Sequence, residues 1–146
     1  MKKLLLATAA FALAALAMPT TATAQSGPNA QWFGVTGPNS VLASAVIVDN
    51  IIYLSGVTPG RDAGDDVAGR TRSVMDRIKA NLAEHGATMD DIIRCTVFME
   101  DLGERPQLNE IYRSYFTDNR PVRSAIEVGL GGIGVEIECM AVYRGG

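Results

Sequence analysis

Apolar residues recur along the chain with two different spacings, and the spacing separates predicted strands from predicted helices. Short apolar or alternating runs bounded by Asp, Asn, Gly or Pro predict strands. These runs cover residues 43–48, 51–55, 91–99, 123–128 and 135–143. Apolar residues three or four positions apart predict amphipathic helices at 67–85 and 104–116. The predicted order is therefore β-β-α-β-α-β-β.

Turn and cap residues support these boundaries. Asp49 and Asn50 separate the first two strands, and both residue types favour a two-residue hairpin turn. Asp65 or Asp66 stands where the first helix needs an N-cap, and Gly86 follows its end, where left-handed backbone is common. The hairpin and the first helix are thus each bounded by residues suited to a turn or a cap.

The fold class follows from the apolar faces that must be buried. Both helices require an apolar sheet surface, so the pattern predicts an α+β domain with one sheet and two helices on one face. Along the last strand, side chains alternate between faces, and Glu136, Glu138 and Met140 share the face without helices. A face that mixes carboxylates with apolar residues favours contact with another subunit, so an oligomer is expected.

The N-terminus has the three-part layout of a secretory signal peptide. Lys2 and Lys3 precede an apolar run of about 15 residues, and small residues ending at Ala24 form a cleavage site. An uncleaved membrane anchor is the weaker alternative, because a membrane span needs about 20 apolar residues. Export to the periplasm or the medium is therefore expected. The predicted organisation is a signal peptide at 1–24, a flexible lead-in at 25–40 and a folded domain at 41–146.

The charge balance narrows the choice of partners. Loss of Lys2 and Lys3 with the signal peptide leaves 11 of the 13 basic residues against 16 acidic ones, a net charge of −5 instead of −3. An acidic domain with few basic clusters binds nucleic acid poorly. We therefore expect a small-molecule or protein partner, with no nucleic-acid partner and no membrane association after cleavage.

Two cysteines and one histidine limit the metal and redox chemistry of the chain. Cys95 and Cys139 lie in apolar strand-like runs, where free thiols behave as small hydrophobic side chains. We predict two buried thiols, although export would also permit a disulfide between them. The sequence has His85 as its single histidine and no CxxC or HExxH motif, so a metal site is not expected.

Several segments together resemble one known family. They are YLSGVTPG, NLAEHGATMDDIIRCTVFMEDL, LNEIYRSYF, RPVRSAIEV and VEIECMAVY. In this combination they are similar to the Rid (reactive intermediate/imine deaminase, YjgF-like) family, over residues 42–143. The resemblance implies a chorismate-mutase-like α+β fold and a homotrimer with ligand clefts between subunits. It also implies hydrolysis of enamine or imine intermediates such as 2-aminoacrylate to 2-keto acids and ammonia, without a metal or an organic cofactor.

The resemblance also assigns roles to residues. Arg123 takes the place of the arginine that binds the substrate carboxylate, and Glu136 takes the place of the acid beside the imine and water. These two are the predicted catalytic residues. Ser55 and Gly56 match the strand-end pair whose backbone lines the substrate cleft. Ala125 stands at a cleft position where many members have a cysteine whose side chain is not generally required.

One departure from the family pattern affects the wall of the cleft. Leu42 stands where many members have a tyrosine. The difference predicts another kind of substrate wall, and Trp32 and Phe33 of the lead-in are the candidates to replace the missing ring.

The chemistry of these residue types agrees with the assignment. A guanidinium binds a carboxylate through two parallel hydrogen bonds and keeps its charge in a half-buried cleft. Partial desolvation would raise the pKa of Glu136, which could then protonate the enamine or position water. The simpler alternatives are an ion pair of Arg123 with Glu127 or with an acid of a neighbouring subunit, and a merely structural Glu136. Ser124 has no evident base partner and is not expected to be a nucleophile, and Asn109 is expected to fix a loop.

Two functions remain open from the sequence. The first is an exported imine deaminase of the 2-iminobutanoate/2-iminopropanoate type. The second is an exported small-carboxylate-binding or protective protein of the same fold without turnover, which the predicted export and the missing tyrosine favour. Ribonuclease activity, attributed to some family members, conflicts with the negative charge and the export.

Overall fold

The computed structural model describes residues 29–145, and the predicted signal peptide lies outside them. The strands are β1 (Ala30–Phe33), β2 (Ala45–Val48), β3 (Ile51–Leu54), β4 (Ile92–Met99), β5 (Val122–Glu127) and β6 (Val135–Val142). The helices are α1 (Val67–Glu84) and α2 (Arg105–Arg113), with short 3-10 turns at Met89–Asp91 and Leu102–Glu104. Every predicted strand and helix is present, with ends shifted by a few residues.

The sheet arranges its strands in the order β1-β2-β3-β6-β4-β5. β4 and β5 run parallel, whereas the other neighbouring strands are antiparallel. A parallel pair needs a crossover connection, and α2 provides it between β4 and β5. β5 therefore forms one edge of the sheet, with β4 as its single strand neighbour in the described chain.

The lead-in contains a strand that the sequence prediction does not include. β1 pairs with β2 and extends the sheet, with Phe33 opposite Ala45. Its four residues, Ala-Gln-Trp-Phe, are too few to show a period, and Gly, Pro, Asn and Ser surround them. The prediction of a flexible lead-in over 25–40 is therefore wrong for residues 30–33.

Both helices cover one face of the sheet, as predicted. The buried residues of α1 recur at helical spacing: Val67, Thr71, Val74, Met75, Ile78 and Leu82. Leu108 and Tyr112 of α2 join the same core cluster. Alternate residues of β6 are buried beneath them: Val135, Ile137, Cys139 and Ala141. The predicted alternation along the last strand is confirmed. Across residues 29–145, neither helix is long and apolar enough to cross a bilayer.

The predicted cap and turn residues hold the ends of these elements. The Asp66 carboxylate accepts a 2.7 Å hydrogen bond from the backbone N–H of Gly69, inside the first turn of α1. Gly86, just beyond α1, has φ +69°, a conformation that glycine adopts without steric cost. Asp49 has φ 53° in the tight turn between β2 and β3, as a hairpin turn requires.

Cys95 and Cys139 form a disulfide, and the prediction of two free thiols is wrong. The two residues are direct cross-strand partners of β4 and β6, and both are buried on the helix-covered face. Their Cα atoms are 4.2 Å apart, as expected for side chains that project together from paired strands. The sequence pattern of each strand alone does not reveal the register between them, and that register brings the two sulfurs together.

The opposite face, called here the open face, carries no helix in the described chain. Glu136 and Glu138 lie on it together with apolar side chains. Val122 is 69% exposed, and Tyr53 and Ile126 are also exposed. Apolar side chains that the folded chain leaves uncovered next to carboxylates favour contact with another protein surface.

Candidate active site

Arg123 is held on the helix-covered face by α2. It pairs with Cys95 of β4, so its side chain leaves the sheet toward the helices. Its Nη2 donates a 2.5 Å hydrogen bond to Oδ1 of Asn109. Its guanidinium carbon lies 4.7 Å from the centre of the Tyr112 ring, a cation–π contact. The protein thus fixes one side of the guanidinium, and the remaining N–H groups can donate to a ligand.

The two residues that hold Arg123 come from one turn of α2. Asn109 and Tyr112 are three positions apart and therefore lie on the same side of the helix. Asn109 does not fix a loop, as the sequence suggests, but accepts the hydrogen bond from Arg123. The sequence does show that Asn109 and Tyr112, at i and i+3 of an amphipathic helix, lie on one side of α2. It does not show which strand residue they contact.

The hydroxyl of Tyr112 is enclosed without a hydrogen-bond partner among the described residues. The side chain is 7% exposed. Burial raises the pKa of Tyr112 to about 12, and the nearby charge of Arg123 opposes this only in part. Tyr112 is therefore a neutral phenol near pH 7, and it supports Arg123 through the face of its ring.

The competing interpretation of Arg123, an ion pair with Glu127, does not occur in the structure. Glu127 instead accepts a 2.9 Å hydrogen bond from the backbone N–H of Leu102. The ion pairs found across residues 29–145 join other side chains, Arg70 with Asp65 and Arg144 with Asp91. Arg123 is thus a half-buried cation that lacks a carboxylate within its own described chain, which suits a binding group for an external carboxylate.

Glu136, Gly56 and Ser55 form a second cluster at the start of β6. Backbone hydrogen bonds in both directions join the residues that follow Gly56 and Glu136, at 2.9 and 3.0 Å. A Cβ atom at position 56 would overlap the Glu136 carboxylate, so the glycine leaves room for that group. The Ser55 hydroxyl donates a 2.6 Å hydrogen bond to the carbonyl of Ala43. The backbone N–H of Ser55 donates to the carbonyl of Ser44 at 3.0 Å, so both donors of this residue are used within the chain.

The glycine-rich turn before β6 is fixed by Glu100. Its carboxylate accepts hydrogen bonds from the backbone N–H groups of Gly132 at 2.7 Å and Leu130 at 3.2 Å. The bond from Gly132 is the main reason that the pKa of Glu100 lies below its ordinary value. The anchored turn sets where β6 begins and hence the direction in which Glu136 leaves the sheet.

Arg123 and Glu136 lie on opposite faces of the sheet within one chain. Residues paired across neighbouring strands project to the same face. Arg123 is in register with Cys95 on the helix-covered face, whereas Glu136 is in register with Phe98 on the open face. A single chain therefore keeps the two predicted catalytic side chains in separate clusters.

The residues that follow Arg123 divide between the two faces. Ala125 shares the face of Arg123 and packs, half-buried, against the core. Ser124 is exposed and projects to the open face. Ala125 is thus close enough in the strand to line a site around Arg123, whereas Ser124 is directed away from it.

The wall beside Leu42 is not aromatic. Leu42 lines a cavity of 330 Å³ together with Ser44, Ser55, Gly56, Val57, Thr58, Arg77, Ala80 and Asn81. Phe33 instead packs its ring on His85, with centroids 4.5 Å apart, and Trp32 is 64% exposed. Neither of these aromatic residues lines the cavity within this chain, and the replacement of the tyrosine by Trp32 or Phe33 stays a prediction.

Comparison with known proteins connects this fold and these clusters to a family. A family profile described as Endoribonuclease L-PSP matches residues 37–143, well over half of the chain. The chain therefore belongs to this family. Solved structures of relatives are described as members of the YjgF family and of the Rid family. The resemblance drawn from the sequence segments is confirmed.

Individual relatives share most of the domain. A YjgF-family protein from Neisseria meningitidis has a TM-score of 0.71 at 27% identity, covering 81% of this chain and 98% of its own. A member of the same family from Mycobacterium tuberculosis has a TM-score of 0.69 at 28% identity, covering 77% and 98%. The 3-aminoacrylate deaminase RutC of Acinetobacter baylyi is 33% identical over 102 residues, 66% of this chain and 81% of RutC.

Proposed function

We propose that the protein hydrolyses enamines and imines of the 2-aminoacrylate and 2-iminopropanoate type to 2-keto acids and ammonia. The main observation behind this proposal is Arg123. Its half-buried guanidinium is fixed by Asn109 and has no carboxylate partner within residues 29–145. Family membership supports the same reaction class, since the relative from Acinetobacter baylyi is named as a 3-aminoacrylate deaminase.

The substrate carboxylate binds first in this proposal. Two N–H groups of Arg123 hold it and orient the neighbouring C=N carbon. An enamine takes a proton at its β-carbon and becomes the imine. Water then adds its oxygen to the imine carbon while the nitrogen takes up a proton. The C–N bond of the resulting carbinolamine breaks, ammonia leaves, and the carbonyl of the keto acid forms.

Glu136 is the group that the proposal assigns to proton transfer and to positioning water. The absence of a side chain at Gly56 lets the Glu136 carboxylate lie directly against the backbone there. Because Arg123 and Glu136 lie on opposite faces of one sheet, the proposal includes a homotrimer in which Arg123 of one chain meets Glu136 of the next. The exposed apolar residues of the open face support such an assembly.

The first test compares Arg123→Ala with Arg120→Ala. An amino-acid oxidase generates the imine in situ, and keto-acid release is measured above the spontaneous rate. We expect Arg123→Ala to lower kcat/KM by at least about a hundredfold, because two charge-assisted hydrogen bonds are lost. Arg120 is the matched control, since it is exposed and donates to the carbonyl of Thr117 rather than to α2. A wild-type protein that does not exceed spontaneous hydrolysis would refute the proposed activity.

Binding of small carboxylates without turnover is the alternative outcome. The proposed export favours it, because enamines arise mainly from pyridoxal-phosphate enzymes inside the cell. A thermal shift with pyruvate that disappears in Arg123→Ala, in a protein that hydrolyses no imine, would identify such a binding protein. RNA cleavage, which the family description names, is disfavoured by the net charge of −3.

A further inference from the structure

The cavity beside Leu42 adjoins the Glu136 cluster through shared residues. Its volume of 330 Å³ is in the range of small-molecule sites. Ser55 and Gly56 line it, and Gly56 also lies against the Glu136 carboxylate. Gly56 is therefore the residue at which the cavity and the Glu136 cluster meet.

The polar wall of the cavity comes from α1. Arg77 and Asn81 both line it and are one helical turn apart, so they lie on the same side of the helix. Ala80 lies beside them and occupies little space. A guanidinium donates hydrogen bonds and accepts none, and the Asn81 amide group can also donate. This wall offers a ligand hydrogen-bond donors and one positive charge.

Arg77 forms no ion pair with the rest of the chain between residues 29 and 145. It also borders a neighbouring cavity that contains Asp62 and Asp76, but neither carboxylate is within ion-pair distance of it. An arginine without a carboxylate partner at the wall of a cavity attracts an anionic group of a ligand.

The remaining wall leaves space for that group. It consists of small or aliphatic residues, including Leu42, Ser44 and Val57. A larger aromatic side chain at position 42 would narrow the cavity. The shape and the charge of the cavity thus favour a ligand with a short side chain that ends in an anionic group.

We infer that this cavity is the side-chain subsite of the candidate active site, and that Arg77 selects imino acids with a second carboxylate on the side chain. The inference rests on the proposed function. The α-carboxylate binds Arg123, the reactive carbon lies beside Glu136, and the side-chain carboxylate binds Arg77 with Asn81 as a further donor. The expected substrates are the four- and five-carbon imines formed by oxidation of aspartate and glutamate.

The test measures kcat/KM for imines generated in situ by amino-acid oxidases from aspartate, glutamate and alanine. We expect the wild-type protein to prefer the two acidic imines. Arg77→Ala should lower kcat/KM for these by about tenfold or more, mainly through KM, because a charged hydrogen bond is lost. For the alanine-derived imine, kcat/KM should change by less than about twofold, since this substrate has no group to contact Arg77.

Lys79→Ala is the matched control. Like Arg77, Lys79 is exposed on the same helix and carries the same charge, but it does not line this cavity. Lys79→Ala should leave kcat/KM for all three imines unchanged. If Arg77→Ala is poorly folded by circular dichroism, Arg77→Gln replaces it, since glutamine keeps most of the side-chain length.

The outcomes separate the inference from the proposed function. Hydrolysis of the alanine-derived imine without a preference for the acidic imines overturns the subsite and leaves the proposed function intact. An equal loss on all three substrates in both Arg77 variants also overturns the subsite. If the protein accelerates hydrolysis of none of the three imines, both the subsite and the proposed function are overturned.

Discussion

Arg123 illustrates how two neighbouring side chains can prepare one arginine for binding. Asn109 fixes part of the guanidinium by a hydrogen bond, and the ring of Tyr112 supports its plane. A free arginine side chain loses conformational entropy when it binds a ligand, and prior fixation reduces this loss. A single arginine held in this way can orient a small carboxylate without a second cation beside it.

The unpaired hydroxyl of Tyr112 leads to a stability prediction. Burial of a hydroxyl without a partner lowers the free energy of unfolding. Tyr112→Phe removes the hydroxyl and keeps the ring under Arg123. We expect the free energy of unfolding to stay the same or rise by up to about 1–2 kcal/mol, measured by urea unfolding. Imine hydrolysis should be unchanged, because the ring rather than the hydroxyl supports Arg123.

Phe116 provides the comparison for this variant. It is buried and packs its ring against Tyr112, with centroids 4.9 Å apart. Phe116→Leu should lower the free energy of unfolding because it removes aromatic packing and burial. A loss of stability in Tyr112→Phe would mean that the hydroxyl has a partner in the assembled protein.

Single residues were predictable from the sequence where a motif fixes their position. Glu136 lies in an alternating strand, so its face could be predicted, whereas the roles of Arg123 and Glu136 were assigned by resemblance and stay predictions. The contacts of Asn109 and Tyr112 could not be predicted, because they depend on how α2 docks on the sheet. The proposed role of Arg77 is not predictable from the sequence either, since a charged residue on a helix is usually a solvated one.

At the scale of the elements, the disulfide joins the two strands at the centre of the site. β4 pairs with the strand of Arg123, and β6 carries Glu136. The bond links residues 44 positions apart. A cross-link across a loop of this length restricts the unfolded chain and stabilises the folded one by roughly 3–4 kcal/mol.

Reduction of the disulfide should therefore lower stability by about that amount. The measurement compares urea unfolding with and without a reductant, and the double variant Cys95→Ala with Cys139→Ala serves as the permanently open form. The reductant should have no effect on the double variant. Equal stability of the oxidised and reduced wild type would show that the thiols pack as well without the bond as with it.

The elements themselves were predictable because their period follows from burial on one face. α1 and the alternation of β6 depend on local sequence, and both were predicted correctly. β1 and the disulfide depend on pairing between distant segments, and a single sequence does not show which strand lies beside which. For the same reason the order β3-β6-β4-β5 could not be derived from the pattern alone.

At the scale of the whole molecule, the separation of Arg123 from Glu136 makes the site depend on assembly. The two side chains project from opposite faces of one sheet. In the proposed mechanism they act on one substrate where two chains meet. The open face is the surface that the described chain leaves uncovered for such a contact.

Subunit complementation tests this arrangement. Arg123→Ala and Glu136→Gln should each be inactive alone. When the two variants are unfolded, mixed in equal amounts and refolded, about a quarter of the clefts in a random trimer would combine an intact arginine with an intact glutamate. We expect about a quarter of the wild-type keto-acid release from the mixture.

Light scattering of the same mixture measures the molar mass of the assembly and serves as its control. An inactive mixture of correctly assembled chains would show that each cleft takes both residues from one chain. A monomeric wild-type protein that retains full activity would contradict the shared cleft altogether.

The position of β5 at the edge of the sheet links the substrate arginine to local opening of the fold. Within residues 29–145, β5 bonds to one neighbouring strand only, and Val122 and Ile126 on it are exposed. Edge strands with few buried contacts open more readily than central ones, and their amide hydrogens exchange sooner with solvent. The strand that carries Arg123 is thus expected to be the least protected of the site-forming strands in an isolated chain. A neighbouring subunit that covers it would slow this exchange, so assembly and the ordering of the arginine would be a single event.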